Sequence, residues 1–264
     1  MATKGTEGAK TEVGIWGREL AAVRAAVMFF TRVPVSSSAR HDPEDLQRAA
    51  AWFPLVGWLV GAVAAGVWWA AVQVWPPMVA SGLSLVATLL LTGAFHEDGF
   101  ADVCDGFGGG YTKERVLEIM RDSRVGAFGA IGVVMMLGLK WQTVAVLPAT
   151  LGGAAVLFAG HAVSRAAAVS LMTVLPYVRE EAGKAKPLAT ELGGGRLVTA
   201  LVCGFAPVVL LPARCAWSVA AVAVVWWLLG RWFRRRIGGY TGDCLGAVQQ
   251  ATEVVFYLSV TALL

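Results

Sequence analysis

His96-Glu97-Asp98-Gly99-Phe100-Ala101-Asp102-Val103-Cys104-Asp105-Gly106 closes a long apolar run, Met78 to Phe95, with a concentration of acid. Asp98, Asp102 and Asp105 are spaced i, i+4, i+7. On a helix that spacing puts the three carboxylates on one face. Like charges so placed cost a helix roughly 0.2–0.5 kcal/mol per pair, and more at a membrane edge, where less water screens them. A positive partner is therefore expected. A divalent cation on oxygen ligands, above all magnesium bridging to a phosphate, fits that need. The plainer alternative is an acidic helix start, which the helix dipole favours. It does not account for carboxylates continuing over two turns, or for the glycines after Asp98 and Asp105. Gly99 and Gly106 weaken a helix and make sense where a ligand or another backbone must come close.

The surrounding chain is that of a membrane protein. Of 264 residues, 57% are hydrophobic and only 15% charged, with a mean hydropathy of +0.63. A soluble domain of this length needs far less apolar surface, so the composition predicts an all-α, polytopic membrane helical bundle. Trp52, Trp75, Trp217 and Trp232 lie near the ends of apolar runs, as in an interfacial belt. Cys104, Cys203, Cys215 and Cys244 lack metal-type spacing and read as free thiols.

Residues 1–14 are polar and read as a disordered tail, leaving 15–264 as a single membrane domain. Arg18 to Phe30 is too short to span and is interrupted by Arg24, so an amphipathic or half-inserted helix is expected. About seven spans follow: 53–75, 78–96, 126–147, 150–175, 197–211 (kinked at Pro207), 215–233 and 244–264. The first covers roughly 30 Å at about 1.5 Å per residue. Its Gly57, Gly61 and Gly66 include a small-xxx-small step suited to close helix packing. A loop of about 20 residues is expected after the acidic stretch, carrying a short amphipathic helix over 113–122. Of the 22 Lys and Arg, Lys140, Arg165 and Arg231 fall within spans, and Arg214 alone falls on the short-turn side. The positive-inside rule then places the long loops in the cytoplasm, with the acidic stretch, Asp122 and Asp243 on one membrane face.

Charges inside spans default to function. His161 and Arg165 are i, i+4 on one helix face, and Arg165 falls mid-span, where a phosphate or carboxylate partner is expected. Glu253 lies about three turns into the last span, either as that partner or as a catalytic acid. Lys140 is placed to snorkel. Arg121-Asp122-Ser123-Arg124 is either a solvated turn or a phosphate site in which Asp122 adds a metal ligand. Thr241-Gly242-Asp243 opens a helix, so Asp243 is either an N-cap or part of an anion-binding start. Acidic metal ligands, arginines and a membrane setting together suggest phosphoryl transfer by positioning and charge neutralisation.

Gly93 to Gly106 closely resembles the signature of the cobalamin synthase family, the adenosylcobinamide-GDP ribazoletransferases. Phe30-Thr31-Arg32-Val33-Pro34, Phe53-Pro54-Leu55-Val56-Gly57, Leu117 to Gly126, Tyr177-Val178-Arg179-Glu180-Glu181 and Thr241 to Ala247 resemble its other motifs in order. One departure is visible: the family tends to continue after Glu181 with Gly-Leu-Gly, and here the chain reads Ala182-Gly183-Lys184.

The resemblance implies the last assembly step of adenosylcobalamin. The 3′-hydroxyl of α-ribazole, or of its 5′-phosphate, attacks the cobinamide-linked phosphorus of GDP-cobinamide, GMP leaves, and magnesium assists. It further implies a multi-pass protein of the cell inner membrane, with an active site in a broad cytoplasm-facing cavity. On this reading Asp98, Asp102, Asp105 and Glu97 bind magnesium, and Asp243 and Asp122 are the catalytic carboxylates. Arg121, Arg124, Arg165, His96, Ser123 and Arg32 contact substrate. The partners are the two substrates and the lipid bilayer, with no nucleic acid; a homo-oligomer is left open. Two rivals are a lipid-forming CDP-alcohol phosphotransferase and an ion-coupled transporter. The first calls for an Ala-Arg pair after Asp98-Gly99 and further aspartates at Gly-x-x-x-Asp-x-x-x-Asp spacing, neither of which is present. The second calls for acids at the bilayer midplane, where only Glu253 lies.

Overall fold

The structure, a computed structural model, describes residues 15–35, 47–179 and 192–264. The tail at 1–14 and the acidic and basic residues of the 180–191 loop lie outside the described residues. Ten α-helices make up the described chain: α1 (Ile15–Phe30), α2 (Phe53–Ala71), α3 (Pro77–Thr92), α4 (Phe95–Gly109), α5 (Lys113–Ile119), α6 (Ala127–Ala145), α7 (Leu151–Leu171), α8 (Gly194–Phe205), α9 (Trp217–Ile237) and α10 (Gly242–Leu263).

Fewer spans emerge than the seven expected. Four helices among the described residues are long and apolar enough to cross a membrane, covering 47–71, 127–145, 151–171 and 213–237. A fifth arises if α3 and α4 count as one broken span, bent by 90°. The 197–211 segment is a shorter apolar helix that tightens to 3-10 geometry at Ala206–Leu210, where Pro207 removes a backbone donor. α10 has the length of a span at 22 residues, but Gln249, Gln250 and Glu253 lower its apolarity and are buried inside the bundle.

α7 is the innermost span, and α2 packs along it without intervening side chains. A Cβ at Gly57 would meet the His161 carbonyl at 2.5 Å, and one at Gly61 would meet the Phe158 carbonyl at 2.8 Å. The small-xxx-small step thus sets this helix contact, whereas Gly66 faces open space. Gly57→Ala is expected to push α2 from α7 and to cost about 1–3 kcal/mol, as overpacking does; thermal unfolding of the detergent-solubilised protein reads it directly.

The acidic stretch is helical, as the spacing of its aspartates suggested. Gly93 ends α3 at φ 66°, and Ala94 follows in the same left-handed region at φ 57°. A non-glycine residue there is strained. The two residues turn the chain through a right angle, and α4 carries Asp98, Asp102 and Asp105 on its own axis. Arg32 braces the bend, its amide donating to the Leu91 carbonyl at 2.8 Å and its side chain packing over Gly93.

Candidate active site

α4 and the start of α10 cross at two glycines. A Cβ at Gly99 would meet the Asp243 Cα at 2.9 Å, and one at Gly246 would meet the His96 carbonyl at 3.0 Å. Gly99 is therefore the close-approach position its sequence suggested, and the approaching group is backbone. Gly106 likewise accommodates α5, where the Met120 side chain and the Val116 carbonyl press against it. The crossing sets Asp243 opposite Asp98 and Asp102.

The charges there are unbalanced. Burial pushes the Asp102 carboxyl up to about 7, and the neighbouring Asp243 and Asp98 carboxylates add to the rise against the pull of Arg179. Burial also raises Asp243, while Arg179 and the Thr241 hydroxyl draw it back. The Arg179 guanidinium donates to Asp243 Oδ2 at 2.6 Å and to the Met120 carbonyl at 3.2 Å. A short backbone pairing delivers that arginine. Val178 N donates to the Tyr240 carbonyl at 3.0 Å, and Tyr240 N to the Pro176 carbonyl at 2.9 Å. Gly239 leaves room for it by letting the Pro176 carbonyl approach. Thr241 caps α10, its Oγ1 accepting from Cys244 N at 3.4 Å. The N-cap role open to Asp243 is thus filled by Thr241, and Asp243, held by Arg179, faces α4 from the first turn.

Asp105 is committed elsewhere. Its Oδ2 accepts from Gly126 N at 2.7 Å and its Oδ1 from Gly129 N at 2.8 Å. Glycine at both positions leaves space for the carboxylate. Asp105 therefore closes the N-terminus of α6, satisfying donors that the first turn leaves open. Asp105→Ala is expected to cost about 2 kcal/mol of stability through those lost acceptors, seen as a lower unfolding temperature.

Glu97 turns into the bundle. Gln250 Nε2 donates to its Oε1 at 2.8 Å, and its other oxygen is buried with no partner. No group of three or more His, Cys, Asp or Glu among the described residues is placed to hold a metal ion. The four expected ligands are thus not gathered around one point: Asp98 and Asp102 share a face with Asp243, Asp105 caps α6, and Glu97 faces Gln250.

Asp122, Ser123 and Arg124 occupy an exposed turn. Arg124 grips Asp122 through three side-chain contacts of 2.6–3.1 Å and holds that carboxyl at about 2. These two residues share an open cleft of about 610 Å³ with Asp105, at the far end of α4 from Asp98. Arg121 is exposed on the same turn.

Within the bundle, Glu253 has other partners than the expected Arg165. Its Oε2 lies 3.3 Å from His161 Nδ1, and its Oε1 3.2 Å from Lys140 Nζ. Lys140 does not snorkel. It is 5% exposed and donates to Gln250 Oε1 at 2.6 Å. Arg165 donates to the His161 carbonyl at 2.9 Å and lines an aromatic cavity with His96, whose ring stacks on Phe30 at 5.4 Å. Arg179 is the residue that sequence reasoning missed. Its motif match was visible, but the pairing that brings it to Asp243 is long-range.

A family model described as cobalamin-5-phosphate synthase matches residues 22–261. The chain is 52% identical over 237 residues to the adenosylcobinamide-GDP ribazoletransferase of Ralstonia pickettii, covering 89% of this chain and 92% of that protein. It is 48% identical to the enzyme of that name from Leptothrix cholodnii, covering 88% and 92%. Identity to that of Shewanella frigidimarina is 42%, covering 94% and 96%. No solved structure matches the chain.

Proposed function

This chain belongs to the cobalamin-5-phosphate synthase family, and from that premise we propose that the crossing of α4 with α10 is where its reaction takes place. The chain is a transferase of the final cobalamin assembly step. In the proposal the 3′-hydroxyl of α-ribazole, free or 5′-phosphorylated, attacks the cobinamide-linked phosphorus of GDP-cobinamide. The new P–O bond forms as the bond to the GMP oxygen breaks, and GMP departs with its electron pair.

One observation carries this placement: Gly99 packs on the Asp243 backbone, so Asp98 and Asp102 face Asp243 across a helix crossing. Asp243 accepts the hydroxyl proton as general base, with Arg179 holding its carboxylate in place. Magnesium suits the donor set, since it binds through one or two carboxylates plus water and substrate phosphates. The raised Asp102 carboxyl marks a place short of positive charge. Asp98 and Asp102 would hold the ion, which when bound neutralises charge on the diphosphate. Asp105 and Glu97 stand outside that pair for the reasons of geometry given above.

Arg124 lines the open cleft with Asp122, which holds its guanidinium in place, and Arg121 and Ser123 lie on the same exposed turn as further donors for phosphate oxygens. Arg32 supports the bend that aims α4. In this proposal the face lies in the cytoplasm and the bundle in the inner membrane, a reading the basic loops support through the positive-inside rule. The test is GMP release from purified protein given GDP-cobinamide and α-ribazole. Release that needs magnesium and stops with a chelator is expected. Release at full rate in chelator would remove the metal from the proposal, and no release from folded protein would remove the reaction.

A further inference from the structure

Beside the carboxylate cluster lies a cavity that the reaction as described leaves without a use. Its walls are aromatic and aliphatic. Phe30 and Phe53 meet edge to face at 4.2 Å, and the His96 ring lies parallel to Phe30 at 5°. Among the described residues no Asp, Glu, Asn or Gln lines it. Two of its lining residues carry buried donors with no partner, Arg165 Nε and the Tyr177 hydroxyl. Arg165 is itself only 3% exposed. Buried donors of this kind are rare and call for an acceptor. Gly242 also lines the cavity, one residue from Asp243, so the hollow adjoins the carboxylates.

The occupant that fits is flat, apolar and equipped with an acceptor but no donor. A purine such as guanine presents an amino donor as well as acceptors, and among the described residues this lining has no side-chain carboxylate or amide to receive it. An acyl chain would leave both orphan donors unpaired. A benzimidazole joined to ribose through one nitrogen keeps a single ring acceptor and no N–H. We propose that this cavity receives the benzimidazole ring of the ribazole acceptor. The stacked Phe30–His96 pair offers an outer ring face to it, and Arg165 or Tyr177 donates to its free nitrogen. The ribose is thereby presented toward Asp243. The inference rests on the reaction given above and adds to it the site that recognises the acceptor.

Two variants of the full-length protein, in detergent or nanodiscs, test it. Ala168 lines the cavity from α7, and Ala168→Leu fills it. Tyr177→Phe removes one donor and no volume. Ala168→Leu is expected to raise KM for α-ribazole at least about tenfold, the scale set by a misfitting group in an apolar pocket. KM for GDP-cobinamide stays within about twofold. Tyr177→Phe narrows the preference for benzimidazole over adenine nucleosides as acceptors. Equilibrium dialysis with free 5,6-dimethylbenzimidazole reads the cavity without turnover: wild type binds it and Ala168→Leu does not. A KM rise confined to GDP-cobinamide would hand the cavity to the nucleotide or the corrinoid and overturn the proposal. Unchanged benzimidazole binding in Ala168→Leu, or a co-purified lipid displaced by neither base nor nucleoside, would overturn it equally. Absence of turnover in wild type with retained, cavity-dependent benzimidazole binding would count against the reaction and not against this site.

Discussion

Asp102→Asn lowers the rate of GMP release by about 100-fold or more at saturating substrate, yet the same protein, purified free of divalent cations, unfolds at a higher temperature than wild type. Both halves follow from one geometry. Asp102 is half-buried between Asp98 and Asp243, and its carboxyl stands at about 7 because the protein disfavours its charge. Asparagine keeps the shape and removes the repulsion. The gain is of the order of 1 kcal/mol once exposure to solvent is discounted, or roughly 2–4 °C. The loss in rate is larger because removing one preorganised electrostatic group from such a site typically costs about 10²–10³ in kcat. Activity assays beside thermal unfolding in chelator give both numbers. A variant that is slow and also less stable would make Asp102 a structural residue and refute the reading.

Glu253→Ala has the largest expected effect on stability, about 3–5 kcal/mol, the scale for removing one member of a buried ion pair. Glu253 is 1% exposed and lies against Lys140 and His161. Gln249 Nε2 donates to its Oε2 at 2.5 Å, and Gln250 links the cluster to Glu97. Alanine leaves the Lys140 ammonium in the core with Gln250 as its remaining partner. Glu253→Gln keeps the volume and most hydrogen bonds and is expected to cost less. Unfolding temperature and yield in mild detergent distinguish the two. Equal behaviour of both variants would show that volume, and not charge, is what the cluster needs.

The sequence was most legible where local spacing sets geometry. Aspartates at four and seven residues share a face on any helix, so α4 presents Asp98 and Asp102 together. Gly57 and Gly61 mark the α2–α7 contact for the same reason. What was not legible depends on distant partners. Nothing local to Ala94 announces a left-handed backbone, because Arg32 and the α3 terminus impose it. Asp105 reads like its neighbours, but Gly126 and Gly129, more than 20 residues on, decide that it caps a helix. α10 reads as one more span because its polar residues are spread among apolar ones. The partners that bury them sit on three other helices, Glu97 on α4, Lys140 on α6 and His161 on α7. Arg179 reaches Asp243 through a pairing of residues 176–178 with Tyr240 that no periodicity reveals.

The right-angle turn at Gly93 and Ala94 sets the depth of the aspartates relative to α3. Had α4 continued along the axis of α3, Asp98 and Asp105 would be separated by about 10 Å along the bilayer normal, at 1.5 Å per residue. Only one of them could then lie level with the headgroups. Turned through 90°, the same helix runs across the axis of α3, so its aspartates lie near one depth measured along that axis. A phosphate that follows α4 would then pass Asp98 and Asp102 in turn without advancing along α3.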